Sequence, residues 1–277
     1  NMLVEKIFPR ETKRYTDFKI FFVRVSGFIE KNSMMRLFVI WSLTVCGTVL
    51  SAGIENRFVY WSWSDTLIGL TKLIIITVVF FLILRPNKLW TLGSKRLNTN
   101  ELGRHTLMAC LFMLFGGIGS EVDFGKFMLN LFPYLAGFLG AALVFQCPLK
   151  LDESKGEWFV ESWENKQYFL VLSSLFLLVA IIAGFYFDDP ILSTVSMVNL
   201  PFSVVALIFP KHVRHLQRAR FFPLFIFSLF LCVRAPWFLA PLTIFFFFLR
   251  TVNYFRYGIA YPSFGVDFDE TTLYKDV

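Results

Sequence analysis

FFPLFIFSLFLCVRAPWFLAPLTIFFFFL, residues 221–249, is almost continuously apolar. About 20 apolar residues cross a bilayer as a helix, so this stretch is too long for one crossing. It reads as two, over residues 217–234 and 235–254. Arg234 and Pro236 mark a turn of almost no length between them, and Trp237 stands where an interfacial aromatic belongs. A helical hairpin with a minimal outer loop is therefore the unit from which the chain is built.

Working outward from that hairpin, the same pattern recurs. Apolar segments over 37–54, 66–84, 105–119, 126–147, 168–187 and 191–209 each suit a crossing. The predicted fold is all-α: a polytopic integral membrane bundle of about eight transmembrane helices in four hairpins. An N-terminal interfacial amphipathic helix precedes it. Residues 1–36 are expected to form a cytoplasmic basic segment holding that helix, 37–254 the transmembrane domain, and 255–277 a cytoplasmic tail. Within the first segment Phe18, Phe21, Phe22, Val25, Phe28 and Ile29 recur at helical spacing, with Asp17, Lys19, Arg24, Glu30 and Lys31 mostly off that face. Such a helix lies in a membrane surface or packs on a partner protein. Asn1-Met2 is not expected to begin a signal peptide, and the first crossing is expected to direct its own insertion.

Composition agrees. The chain has 277 residues, 56% of them hydrophobic, with 36 phenylalanines and 17% charged residues, against about 25% charged in a soluble domain. The net charge of +7 would suit nucleic acid if it were spread over one face. Instead, all of the 27 lysines and arginines except Arg57, Lys72, Lys126 and Arg234 fall on alternate connectors or at the two chain ends. That is the asymmetry of membrane topology, and it predicts cytoplasmic termini in the cell (inner) membrane. Cys46, Cys110, Cys147 and Cys232 form no CxxC pair and read as small apolar packing residues.

Motifs for chemistry are sparse. His105, His212 and His215 do not sit in facing helices, as axial heme ligands would. His212 and His215 share a helix face, but Arg214, Arg218 and Arg220 surround them and oppose a metal cation. No cofactor and no metal is expected. Glu157, Glu161 and Glu164 are spaced to share a helix face, and Asp188-Asp189-Pro190 reads as a tight outer turn. Gly137-x-x-Gly140 suits close approach of a neighbouring helix, and Gly116-Gly117 is expected to break the third crossing. Lys72 is expected to snorkel outward. Trp61, Trp63, Trp90, Trp158, Trp163 and Trp237 are expected in the interfacial belts.

The hairpin layout resembles that of the intramembrane aromatic prenyltransferases. The resemblance implies chemistry on the cytoplasmic connectors after the second and sixth crossings, here 85–105 and 210–220. The first holds Glu101 but no aspartate, and the second no acidic residue. The Asp-rich motifs of that family are absent, and catalysis by its mechanism is not supported.

Two function classes remain. One is a non-catalytic membrane subunit or scaffold of a larger complex, suggested by the basic arm and an aromatic tail over 254–262. The other is a lipid- or isoprenoid-handling protein whose basic connectors hold a phosphate head group, with Arg96, Arg104, Arg214 and Arg218 as contacts. A transporter comes third, its pointer being intramembrane Asn199 beside Pro201. There Asn199 is expected to bond across helices, with Pro201 kinking its own. The expected partners are membrane lipids and other membrane protein subunits, and not nucleic acid.

Overall fold

A computed structural model describes residues 3–51, 63, 65–93, 96–119, 122–147, 149–152, 157–160, 165–209 and 213–257. The expectations for Trp61, Trp163, Glu161, Glu164, His212 and the tail from residue 258 lie outside the described residues. Apart from turns, the described residues are helical except for one short ribbon. In order come α1 (Leu3–Ile7), α2 (Lys13–Lys31), α3 (Met34–Ser51), α4 (Thr66–Val79, extended by a π turn over Phe80–Leu84) and α5 (Thr99–Gly116). Then follow α6 (Phe124–Val144), β1 (Leu149–Asp152), β2 (Glu157–Val160), α7 (Lys166–Tyr186), α8 (Pro190–Ile208), α9 (Val213–Leu231), a 3₁₀ turn (Pro236–Phe238) and α10 (Leu239–Tyr257).

Among the described residues six helices are long and apolar enough to cross a membrane: Met34–Ser51, Thr66–Leu84, Phe124–Val144, Lys166–Tyr186, Pro190–Ile208 and Pro236–Arg256. Their sequences are helical for a simple reason. In hydrocarbon every backbone N–H and C=O must be satisfied within the segment. The other two expected crossings, α5 and α9, are helices of similar length whose first two turns are polar. Thr99–His105 opens α5, and Arg214, Arg218 and Arg220 sit in the first half of α9.

Small residues set the helix contacts. A Cβ on Gly47 of α3 would lie 1.8 Å from the Met113 carbonyl oxygen of α5, and one on Gly116 would lie 1.9 Å from that of Thr44. α5 ends at Gly116 with Gly117 as its cap, at the expected Gly116-Gly117 break, and Gly116 is also a point of close crossing. A Cβ on Gly140 would meet Leu177 at 2.8 Å, so α6 and α7 do approach closely there, whereas one on Gly137 would find only ordinary contacts at 3.8 Å. Hydroxyls add cross-links in a setting without water. Ser42 and Ser228 join α3 to α9 at 2.8 Å, and Ser173 reaches both the Gly140 carbonyl (2.7 Å) and Ser203 (2.9 Å).

Two expectations are corrected. The residues from Glu157 pair as a strand with Leu149–Asp152, so Glu157 does not begin a helical acidic face; alternating Trp158 and Val160 around Phe159 suit a pleat better than a helix. Lys72, by contrast, reaches the end of α5 that adjoins the expected outer turn. Its Nζ donates to the Gly116 and Ile118 carbonyls at 2.6 and 2.9 Å, supplying the donors that the end of α5 lacks. Trp90 and Trp237 are buried inside the protein, while Trp63 is exposed. The connector 85–105 folds inward. Trp90, Thr91, Leu92 and Leu97 are buried, held by a bond from Thr91 N to His105 Nε2 (2.8 Å) and one from Leu97 N to Gln146 Oε1 (2.9 Å). Nδ1 of His105 lies 2.6 Å from the Glu101 carbonyl. Those two bonds make it a neutral Nδ1–H imidazole that pins a loop.

The N-terminal arm folds back on the far end of the chain. Tyr15 donates to the Tyr254 and Phe255 carbonyls at 3.3 and 3.4 Å, Phe22 stacks on Phe255, and Arg256 bonds Ser26 and Glu30. Burial pushes the Tyr15 hydroxyl above its ordinary pKa, which keeps it a donor. The predicted apolar face of α2 is divided by this contact. Ile29 is buried, Phe22 and the half-exposed Phe18 pack on Phe255, and Phe21 and Phe28 are exposed.

Candidate functional site

Helices α3 and α5 to α9 enclose a cavity of about 100 Å³. A buried water needs about 10–15 Å³, so the space exceeds a packing defect. Its wall is mostly apolar, from Leu43, Phe138, Ala141, Leu192, Leu224 and Phe227 among others, with Ser42, Tyr134, Ser196, Asn199 and Arg220 as its polar members. The small residues Gly137 and Ala141 of α6 make room for it, and Asn199 and Ser196 of α8 face it one turn apart.

Asn199 is buried, and its Oδ1 has no hydrogen-bond partner. The expected bond across helices is therefore not made by that oxygen, which lines the cavity instead. α8 itself runs unbroken through Pro201 from Pro190 to Ile208.

At one end of the cavity lies Arg220, from the first half of α9. It is 7% exposed. Its Nη1 donates to the Cys147 carbonyl at 2.7 Å and its guanidinium lies over the Phe145 ring, 4.7 Å from the centroid. Nε has no partner. One turn earlier on the same helix face, the buried Gln217 also carries an Nε2 without a partner. Lys166 of α7, also buried, and Arg96 share this region, and the charges of Lys166, Arg220 and Arg96 all act on the Cys147 thiol. Arg220 is in direct contact with Cys147, and two further cations stand in the same region.

Of the arginines singled out from the sequence, only Arg96 belongs here. It is half-buried, with its guanidinium 5.0 Å from the Phe169 ring centre. Arg104 on α5 and Arg218 on α9 are exposed, and the side chain of Arg214 lies outside those described. Arg220 was passed over because it ends a basic run, where solvated charge is the ordinary outcome. One signal could have found it. The apolar series Leu216, Ala219, Phe222 and Pro223 continues around it, so the helix is already entering apolar surroundings at that position.

At the other end of the cavity, Tyr134 donates to Asp189 Oδ2 at 2.8 Å. Asp189 is 1% exposed and its Oδ1 accepts from Ile191 N and Leu192 N, capping α8. The pair Asp188-Asp189 is thus a structural device at a helix start, and Asp188 takes the left-handed conformation that lets the chain reverse. Among the described residues no group of three histidines, cysteines or carboxylates stands close enough to hold a metal.

No family model, curated protein or solved structure matches this chain. The site is accordingly interpreted from its own chemistry.

Proposed function

We propose that this is a polytopic membrane protein that holds part of a lipid or isoprenoid amphiphile between its helices, by binding rather than by catalysis. The cavity carries this reading. Empty apolar volume costs about 24 cal/mol per Å³, so leaving some 100 Å³ vacant costs about 2 kcal/mol. An alkyl or prenyl segment recovers that contact energy, and it is the most abundant molecular fragment around a membrane helix.

The topology goes with this reading. α5 and α9 complete eight crossings in four hairpins, with their polar first turns at the cytoplasmic ends beside the basic connectors. Both termini are cytoplasmic in the inner membrane, and α2 lies in the membrane surface with Phe18, Phe21 and Phe28 toward acyl chains. An impermeant maleimide applied to intact spheroplasts is expected to label a cysteine at Trp63 and spare one at Asn100, both exposed. The reverse pattern overturns the orientation.

A second reading, a subunit or scaffold of a larger membrane complex, is favoured by the uncovered part of α2, which would suit another chain as well as lipid.

The cavity itself is tested by filling it. Gly137 faces it with room for a Cβ. Gly137→Leu is expected to cut the lipid retained after gentle detergent extraction at least fivefold by native mass spectrometry. Its melting temperature should be kept or raised, since glycine costs a helix about 0.5–1 kcal/mol. An unchanged lipid complement argues against the reading. A defined set of partner chains and no lipid would favour the subunit reading.

A further inference from the structure

We infer that Arg220 is the anchor for an oxyanion head group, phosphate or carboxylate, whose apolar chain occupies the cavity between α6, α8 and α9. The inference rests on the proposed amphiphile binding and adds the charge class of the ligand and the residue that reads it.

A guanidinium more than nine-tenths buried needs an anion or a full set of acceptors, because an uncompensated buried charge is expensive. Arg220 has one carbonyl acceptor, from Cys147, and an aromatic face at Phe145. Among the described residues no carboxylate acts on it, and its Nε is without a partner. The side chain lines the cavity rather than pointing into the lipid. Gln217 adds a second buried donor, Nε2, equally without a partner. Lys166 and Arg96 raise the local positive potential. A donor without an acceptor at one end of an apolar chamber, with a second, Gln217 Nε2, one turn earlier on α9, forms the complement of an anionic amphiphile, and guanidinium binds such oxyanions with directed hydrogen bonds. Asn199 Oδ1, an acceptor without a donor deeper in the wall, would favour a chain bearing a hydroxyl.

The test uses the purified full-length chain, stripped of lipid and titrated below micelle-forming concentration with dodecyl phosphate, dodecanoate and dodecanol, followed by thermal shift. At least one charged probe is expected to bind tenfold or more tightly than dodecanol, and which one does so identifies the head group as phosphate or carboxylate. Arg220→Gln should erase that preference while leaving dodecanol binding unchanged, and Arg220→Lys should restore part of it. Equal binding of all three probes to the wild-type chain overturns the inference and leaves amphiphile binding standing. No binding of any probe, with no difference in Gly137→Leu, removes both. The wild-type comparison decides the matter even if Arg220→Gln does not fold.

Discussion

Gly47→Ala is expected to be the most damaging single-methyl change in this protein. The new Cβ would stand 1.8 Å from the Met113 carbonyl oxygen, 2.7 Å from its carbonyl carbon and 3.0 Å from Gly116 Cα. All three are backbone atoms of α5, so no rotamer change relieves the clash. The two helices must part by more than an ångström. Parting them also strains the bonds that Thr48 Oγ1 (3.2 Å) and Lys72 Nζ (2.6 Å) make to the Gly116 carbonyl. Overpacking a well-filled contact costs about 1–3 kcal/mol even where side chains can shift. With backbone on both sides the expected loss is at least about 3 kcal/mol, a large part of ordinary domain stability. The helix preference of alanine over glycine, about 0.5–1 kcal/mol, offsets little of it. Gly27→Ala and Gly103→Ala are the controls. Both glycines are helical with nothing near the new Cβ, so both should gain stability. Thermal unfolding in mild detergent separates the cases. If Gly47→Ala melts with the wild type, the α3–α5 crossing described here is wrong.

Asp189→Ala should be the second most harmful change, for a different reason. One buried carboxylate serves two tasks, accepting from two backbone N–H groups at the start of α8 and from the Tyr134 hydroxyl of α6. Loss of a cap costs about 0.5–2 kcal/mol. A buried hydroxyl left without its acceptor costs a further 1–3 kcal/mol or so. The expected total is about 3 kcal/mol. Asp189→Asn keeps acceptors in place and should lose less than half of that. A double-mutant cycle with Tyr134→Phe tests the shared cause. Removing the hydroxyl should recover part of the Asp189→Ala loss, with a coupling of about 1 kcal/mol or more. Strictly additive losses would mean that the two side chains do not act together.

The positions of the helices were legible because they depend on local composition. A run of apolar residues has few options in hydrocarbon other than a helix that satisfies its own backbone. Residues 37–54, 66–84, 168–187 and 191–209 accordingly match described helices to within a few residues. Gly140 was legible as a close contact, since glycine in a membrane helix usually marks one. The end of the third crossing at Gly116-Gly117 was legible too, since glycine has low helix propensity, but the packing of Gly116 against Thr44 across the crossing was not.

The candidate site was legible only in its chemistry. That an arginine of the basic connectors would matter follows from charge on apolar surroundings, yet Arg104 and Arg218 are exposed and Arg220 is the one that reaches the cavity. Which of several nearby arginines becomes buried depends on the phase of α9 against α8 and on Cys147, 73 positions earlier in the chain. The inward fold of Trp90 and Leu97 likewise depends on His105 and Gln146. By itself the sequence determined an all-helical, membrane-embedded chain and the bias of its charges, because hydropathy and charge act residue by residue. The cavity, the buried Arg220 and the Tyr134–Asp189 bond were decided by tertiary structure alone, because each needs atoms from helices distant in sequence to arrive at one place.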